Sequence, residues 1–300
     1  MSPAGLTDLH RHLDGSLRPE TLAELAAELG VELPEDITFR AGMELHEALA
    51  LFRYTLAVLQ RPAEVRRVAS EICEDAAGEG ISTLEIRFAP QLHLGAPIEA
   101  VVDAALEGAT GRAGIVLCGL YGEPPQVLEG LVEVAASRPG VVGLDLAGGP
   151  QPGHDFAMED YAPAFRRAAE LGLGRTVHAG EGRPPAEIRR AIELLGAERI
   201  GHGTTLLGDP AVAELVIERG VVIEACPTSN VHTGAIGAIE QHPLGEWLAL
   251  GVRACVNTDN TLFSATDVPR EMEVAASLPG LSEARLAACV ATGHAAAFRR

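Results

Sequence analysis

Residues 175–202 read Arg175-Thr-Val-His178-Ala-Gly-Glu181-Gly-Arg-Pro184-Pro-Ala-Glu-Ile-Arg-Arg-Ala-Ile-Glu-Leu-Leu195-Gly-Ala-Glu-Arg199-Ile-Gly-His202. A short β-rich run leads into an Ala/Leu/Glu-rich helical stretch opened by Pro184, and a second β-rich run follows. Proline suits the first turn of a helix, where the N–H it lacks has no partner anyway. Strand, helix and strand in so few residues predict two parallel neighbours joined by a crossover helix.

Outward from this unit the pattern repeats. Further β-rich runs stand at 7–12, 83–88, 115–120, 141–146, 221–224 and 253–257. Helical candidates lie at 19–29, 62–77, 97–109, 124–136, 158–171, 210–219 and 243–250, most of them opened by Pro, and a last one is expected at 282–298. Eight strand–helix units predict a closed (β/α)8 barrel, the TIM barrel, as a single domain over residues 1–300. A doubly wound open sheet is the runner-up; it usually carries a Gly-rich first loop, and the loop here is Leu13-Asp14-Gly15-Ser16. The stretch of about residues 31–60 is too long for a plain connection. With Leu45, Leu49, Phe52 and Leu56 it predicts a small helical insertion after the first strand, placed as a lid on the active-site face.

Composition narrows the function. Apolar residues make up 47% of the chain, enough for a large core. Acidic residues outnumber basic ones, 42 to 23, for a net charge of −19, and no basic stripe offers itself to nucleic acid. All 23 basic residues are arginine. Without lysine there is no Schiff-base chemistry, no phosphate-loop lysine and no binuclear metal site bridged by a modified lysine. Cys73, Cys118, Cys226, Cys255 and Cys289 are odd in number and widely spaced, with no CxxC; this argues against disulfides and thiolate zinc and for a reducing compartment. The start has no signal-peptide character and no apolar run is long enough for a membrane span, so the expected setting is the cytoplasm.

Barrel chemistry gathers at the C-terminal ends of strands. His10 and His12 end the first run, and period-two alternation turns both to one face. His178 ends the fifth run, His202 the sixth, between two glycines, and Asp259 follows the eighth. Each alone reads as readily as a surface histidine, a turn residue or a cap. Together they converge on one mouth. His10, His12, His178 and Asp259, three imidazoles and a carboxylate without thiolate, suit Zn²⁺, with Fe²⁺ and Mn²⁺ as alternatives. Such an ion makes hydroxide available at neutral pH, and Glu181 and His202 remain beside it as acid/base groups.

Six segments then carry a resemblance: Asp8-Leu-His10-Arg-His12-Leu-Asp14-Gly-Ser16, Gly143-Leu-Asp145-Leu-Ala-Gly148, His178-Ala-Gly-Glu181, Arg199-Ile-Gly-His202, Cys226-Pro-Thr-Ser-Asn230 and Asn257-Thr-Asp259. In this order they resemble the adenosine deaminases of the amidohydrolase superfamily. His-x-His marks the superfamily alone; the combination with His-Ala-Gly-Glu, Gly-His-Gly and Asn-Thr-Asp is far more specific. The resemblance implies one Zn²⁺ per chain, held by His10, His12, His178 and Asp259. His202 and Asp259 would orient and deprotonate the water, and Glu181 would give a proton to purine N1 so that C6 accepts hydroxide and releases ammonia. Glu181 is accordingly expected to be protonated when substrate binds, and Asp259 to stay ionised beside the cation.

By the same resemblance Gly148 offers its backbone N–H to purine N3 and Asp14 bonds a ribose 5′-hydroxyl. Relatives that act on the free base tend to carry Glu at that place. Asp14 therefore favours a purine nucleoside and disfavours a 5′-phosphate. Where the family usually has a second Asp to contact N7, this chain has Asn260, whose amide N–H can donate to that acceptor. The short chain opens an alternative, a 5′-modified adenosine such as aminodeoxyfutalosine; free adenine is another. A non-catalytic purine-binding protein on the same barrel is the non-enzyme alternative, and it would more naturally have lost Glu181, His202 or a ligand. The polynucleotide zinc deaminases need Pro-Cys-x-x-Cys, which Cys226-Pro227 does not supply. His46, His154, His232 and His242 read as surface or loop residues, His93, after the second strand, is assigned no place at the pocket rim, Trp247 reads as helix packing, and Ser229 and Asn230 as supports behind the site.

Overall fold

The computed structural model describes residues 5–149 and 154–298. Eight strands stand in chain order round one sheet, each parallel to the next: β1 (Leu6–His12), β2 (Ile81–Phe88), β3 (Gly114–Leu120), β4 (Val141–Ala147), β5 (Gly174–Ala179), β6 (Arg199–His202), β7 (Val222–Ala225) and β8 (Arg253–Val256). Helices separate them in sequence and pack outside, so the architecture is the (β/α)8 barrel. The strands are buried on both faces, as parallel strands under helices must be; β4 has no exposed residue along its length.

The join between β1 and β8 is the loosest seam and the most informative. Arg11 and Asp259 form a parallel bridge, and the His12 N–H donates to the Asp259 carbonyl at 2.9 Å. Lower in the seam, side chains do the work of the ladder. The Leu9 N–H donates to Asn257 Oδ1 at 2.8 Å, and the Thr258 hydroxyl donates to Asp8 Oδ2 at 2.6 Å. The Asn-Thr-Asp run thus stitches the barrel shut where Asp259 must meet the histidines of β1. At the opposite end the Phe298 ring fills the space left by Gly143 and Gly174 and lies under the Arg199 guanidinium at 3.6 Å.

The local rules hold with informative exceptions. Pro19, Pro62 and Pro210 each occupy the first turn of their helices. Pro97 and Pro243 stand one residue earlier, as N-caps of Ile98–Ala109 and Leu244–Leu250. The helix expected at 158–171 is split into a 3-10 turn, Met158–Tyr161, and a helix, Ala162–Glu170. Pro163 has no N–H to donate back to Glu159, so one continuous ladder cannot form. The helix joining β5 to β6, Ala186–Leu195, stops at Gly196, whose φ of 64° is the left-handed cap that a Cβ would disfavour.

Of the insertion at 31–60, only Leu45–Val58 is helical; the part before it has no regular structure. The insertion is anchored by Phe39, which stacks on Phe263 at 4.9 Å while Phe52 tilts against the same ring at 4.7 Å. Three helices escaped the sequence reading: Pro227–His232, Thr261–Ser264 and Val268–Ser277. The first two are too short to show a period. Among the described residues no helix is long and apolar enough to cross a membrane.

Candidate active site

The C-terminal strand ends bring the candidate residues to one place. His10 and His12 come from β1, His178 from β5, and Asp259 from the turn after β8. His178 Nε2 lies 3.1 Å from His10 Nε2 and 3.3 Å from His12 Nε2. Asp259 Oδ1 lies 3.4 Å from His12 Nε2 and 3.7 Å from His10 Nε2. His10, His12 and His178 form one group able to hold an ion; His10, His202 and Asp259 form a second that overlaps it.

Protons decide whether these spacings are hydrogen bonds or a coordination site. His10 Nδ1 meets Glu224 Oε2 at 2.5 Å, and His178 Nδ1 meets Asp145 Oδ2 at 3.0 Å. A carboxylate can only accept, so each imidazole puts its N–H at Nδ1 and leaves Nε2 bare. With His178 neutral, the His10–His178 approach opposes two lone pairs; burial lowers the His178 pKa, but Asp145 outweighs burial and raises it, so a proton on His178 Nε2 is the other species that can sit between them. Burial, reinforced by Arg87, keeps the protonated forms of His10 and His12 unfavourable. A metal ion or a proton on His178 satisfies such a pair. Zn–N bonds of about 2.0–2.1 Å in a tetrahedral array put donor atoms roughly 3.3 Å apart, close to the spacings found.

Arg87 holds the two carboxylates. It is wholly buried; Nη1 donates to Asp145 Oδ2 at 2.8 Å and Nη2 to Glu224 Oε2 at 2.9 Å. Burial pushes the Asp145 carboxyl up, but His178 and Arg87 outweigh it and hold the group well below the usual carboxylate range. Glu224 also accepts from the Thr176 hydroxyl at 3.1 Å and faces Arg199 Nε at 2.7 Å. Sequence reasoning assigned no role to Arg87, Asp145 or Glu224. The signal available was a charged residue near the end of a barrel strand, where the neighbours are Ile, Val, Leu and Phe.

Asp259 is 5% exposed, and burial pushes its carboxyl up to about 7, with Glu181 adding to the rise and the Ser229 hydroxyl, donating to Oδ2 at 2.5 Å, opposing it. The ionised form expected from the sequence is thus one that a positive charge beside the carboxyl would favour. Glu181 Oε1 accepts from the Thr233 hydroxyl at 3.0 Å, and Oε2 lies 3.8 Å from His202 Nε2. Burial raises the Glu181 carboxyl, but His202, His178, Arg183 and the Thr233 bond together hold it below its ordinary value. In the free protein Glu181 is therefore a carboxylate; the protonated form expected from the sequence belongs to the liganded pocket.

The site opens into a cavity of about 830 Å³ roofed by the insertion, with Leu45, Leu49, Phe52 and Leu56 on one side and Asp14, Gly148, Glu181 and Asn260 on its polar walls. Asp14 is 5% exposed, burial pushes its carboxyl up to about 7, and its Oδ1 has no hydrogen-bond partner among the described residues. Asn260 is equally enclosed, with its amide against Gly15; a Cβ on that glycine would sit 1.8 Å from Asn260 Oδ1. One expectation is corrected in part. His242 is 4% exposed, not a surface residue, because it packs edge-on against Trp247 and bonds Asn230. His93 is buried beneath the rim, its Nδ1 donating to the Leu59 carbonyl at 2.5 Å.

With this geometry in view, the comparisons with known proteins agree. The adenosine deaminase family pattern matches residues 5–299. This chain belongs to the adenosine deaminase family. An adenosine deaminase of Serratia proteamaculans is 38% identical over 98% of this chain and 93% of its own. Among solved structures, an adenine deaminase from Arthrobacter aurescens superposes with a TM-score of 0.87 at 28% identity, covering 99% of this chain and 94% of that one. An N6-mAMP deaminase of arabidopsis gives 0.88 at 25% identity, over 100% and 95%. Proteins similar to this chain thus carry the names of a nucleoside, a free base and a nucleotide deaminase.

Proposed function

We propose that this chain, working as a single barrel domain, catalyses hydrolytic deamination of a 6-aminopurine nucleoside, adenosine first of all, to the inosine-type product and ammonia. The observation that carries the reading is the convergence of three imidazole Nε2 atoms and Asp259 beside Glu181 at the floor of the cavity under the insertion. His10, His12, His178 and Asp259 would hold one Zn²⁺. When bound, that ion supplies positive charge that makes a water acidic enough to attack at neutral pH.

The chain's own residues do the rest. Gly148 N–H reads purine N3 and Asn260 faces N7, which sets C6 toward the ion. Glu181 delivers a proton to N1, so the ring nitrogen takes up the electron pair displaced when oxygen adds to C6. His202 and Asp259 orient the water and remove its proton. That proton passes to the 6-amino group; the C6–N bond breaks as the C6 hydroxyl becomes a carbonyl, its proton returning to Glu181, and ammonia leaves. Since Glu181 is a carboxylate in the free pocket, its proton must be gained as substrate binds, when the base excludes solvent and raises the cost of its charge.

Asp14 supports a nucleoside over a free base or a nucleotide. Its buried Oδ1 lacks a donor, which a 5′-hydroxyl supplies and adenine does not. A 5′-phosphate would set like charges together. The five cysteines are free and buried, which fits a cytoplasmic enzyme, and its partner is a small-molecule purine nucleoside.

The test is a panel of adenosine, 2′-deoxyadenosine, adenine, aminodeoxyfutalosine and N6-methyl-AMP, scored by ammonia release on zinc-loaded protein. Adenosine or its deoxy form should lead; adenine leading would overturn the role of Asp14. Glu181→Gln should keep its zinc and lose turnover by about 10²–10⁴-fold; near-normal turnover would refute the acid assignment. A purine-binding protein without catalysis would bind the panel and release no ammonia.

A further inference from the structure

Behind His202 runs a buried chain of hydrogen bonds that ends on the backbone. The Leu244 N–H, at the start of helix Leu244–Leu250, donates to His242 Nδ1 at 3.2 Å. His242 Nε2 lies 3.3 Å from Asn230 Oδ1, and Asn230 Nδ2 lies 2.9 Å from His202 Nδ1. All three side chains are nearly or fully inaccessible to solvent. Read in isolation, such a chain has two proton arrangements, because an imidazole has two tautomers and an amide can be turned over. The backbone removes the choice. An amide N–H is always a donor, so His242 Nδ1 must accept and its single proton sits on Nε2. That N–H requires an oxygen on Asn230, so the amide turns its NH₂ to His202. His202 Nδ1 must then accept, and its proton sits on Nε2. The reverse arrangement would put two N–H groups face to face at Leu244. Burial also pushes His242 down to about 3, so the link does not gain a second proton near neutrality.

We propose that Asn230 and His242 are positioning residues that hold His202 as its Nε2–H tautomer, so that His202 meets the reacting atoms as a hydrogen-bond donor. This deepens the deaminase reading and rests on it. His202 Nε2 points toward Glu181 Oε2, 3.8 Å away, and the His202 ring stands within 5.1 Å of the His178 ring and 4.9 Å of the His10 ring, centre to centre. An imidazole that already carries its proton on the inward nitrogen can neither bind a cation there nor accept a proton there. The overlapping group of His10, His202 and Asp259 is thereby ruled out as the coordination set. The labour shared above between His202 and Asp259 also divides. Asp259 takes the water's proton, while His202 donates to the oxygen that adds to C6 and stabilises the negative charge gathering on it.

The experiment reads the proton itself. Zinc-loaded protein labelled with ¹⁵N-histidine is recorded by long-range ¹H–¹⁵N correlation, and His202 is assigned by its disappearance in His202→Gln. The expected pattern is a single Nε2–H tautomer; an Nδ1–H tautomer or an imidazolium in the resting enzyme overturns the proposal. Asn230→Asp is nearly isosteric but can only accept, so Nδ1 of His202 should acquire a proton. Its kcat on adenosine should fall about 10²–10³-fold, the loss typical of one misdirected donor, with KM and zinc content little changed. A wild-type kcat with Nδ1 protonated would overturn the proposal. His242→Phe frees the amide to turn and should show both tautomers; His242→Gln returns an N–H and should recover one. Should Asn230→Asp not fold, the wild-type spectrum and the His242 pair still decide. Should the wild type release no ammonia from any purine, the function fails while the spectrum still reads the tautomer.

Discussion

Replacing Arg87 with methionine should damage metal binding without touching a ligand. The guanidinium is 0% exposed and bonds Asp145 and Glu224, both also 0% exposed. Burial alone would lower its pKa, but the two carboxylates outweigh that and raise it, so it is charged throughout the working range. Methionine fills much of the space and removes the charge, leaving two buried carboxylates short of their shared partner. Breaking one side of a buried ionic cluster costs about 3–5 kcal/mol. At roughly 2 °C per kcal/mol for a chain of this size, the melting temperature should drop by about 6–10 °C. The carboxylates can relieve themselves by taking protons. A protonated carboxyl donates to Nδ1 of His10 or His178 instead of accepting from it, and the imidazole proton moves to the nitrogen meant for the ion. Zinc affinity should fall by about 10–100-fold for each disturbed partner. The assay is a melt with and without zinc, and a competition titration against a chromogenic chelator. Adding Glu224→Gln to Arg87→Met should return part of the lost stability, since one of the two carboxylates that shared Arg87 loses its charge, the return being limited by the contact Glu224 keeps with Arg199. A melting temperature within 1–2 °C of wild type (about 0.5–1 kcal/mol) together with an unchanged zinc affinity would refute the reasoning.

Gly201→Ala places a Cβ 2.8 Å from His10 Cε1 at a residue without left-handed backbone, so the ring must shift off Glu224; zinc titration should show at least about a tenfold weaker site, and an unchanged affinity would mean that the ring has room to move. Stripping the metal with a chelator should lower the melting temperature by about 5 °C relative to protein held at a hundredfold excess over the dissociation constant, worth about 2.7 kcal/mol; coincident melts would count against a bound ion. Wild-type kcat/KM should fall about 3–10-fold from adenosine to its 7-deaza analogue, the worth of one neutral hydrogen bond, and Asn260→Asp should narrow that gap. An equal gap in both proteins would remove Asn260 from N7.

Much of this was written in the chain at short range. The runs ending in His12, His178 and His202 announced strands because their β-branched neighbours and following Pro or Gly act locally, and all eight appear in register order. His10, His12, His178 and Asp259 were legible because each is a polar residue at a strand end, where barrel geometry forces convergence. What sequence could not supply was the layer behind them. Arg87 is 58 residues from Asp145 and 137 from Glu224, so nothing local signals their meeting. His242 misled for a related reason. It lies in a polar run after the 3-10 turn Ile239–Gln241, which reads as loop, and only the packing of Trp247 shows that it is interior. The sequence reading placed the Glu181 proton only in the liganded pocket; the balance in the free state depends on His202 and Thr233, which tertiary structure brings near.

His202 and Asp259 share a feature that His10, His12 and His178 lack: positive φ, 67° and 69°, where residues other than glycine are strained. The turns that aim these two side chains inward are held open against the backbone's own preference, at a cost of order 1–3 kcal/mol each. Thermal robustness and turnover should therefore pull apart at two addresses in the molecule. Glycine or asparagine at either one relaxes the chain while discarding the group that acts, so a deaminase selected for heat tolerance alone would drift toward silence there. The same trade offers the crystallographer a sturdier, inert protein in which an unreacted nucleoside can be caught.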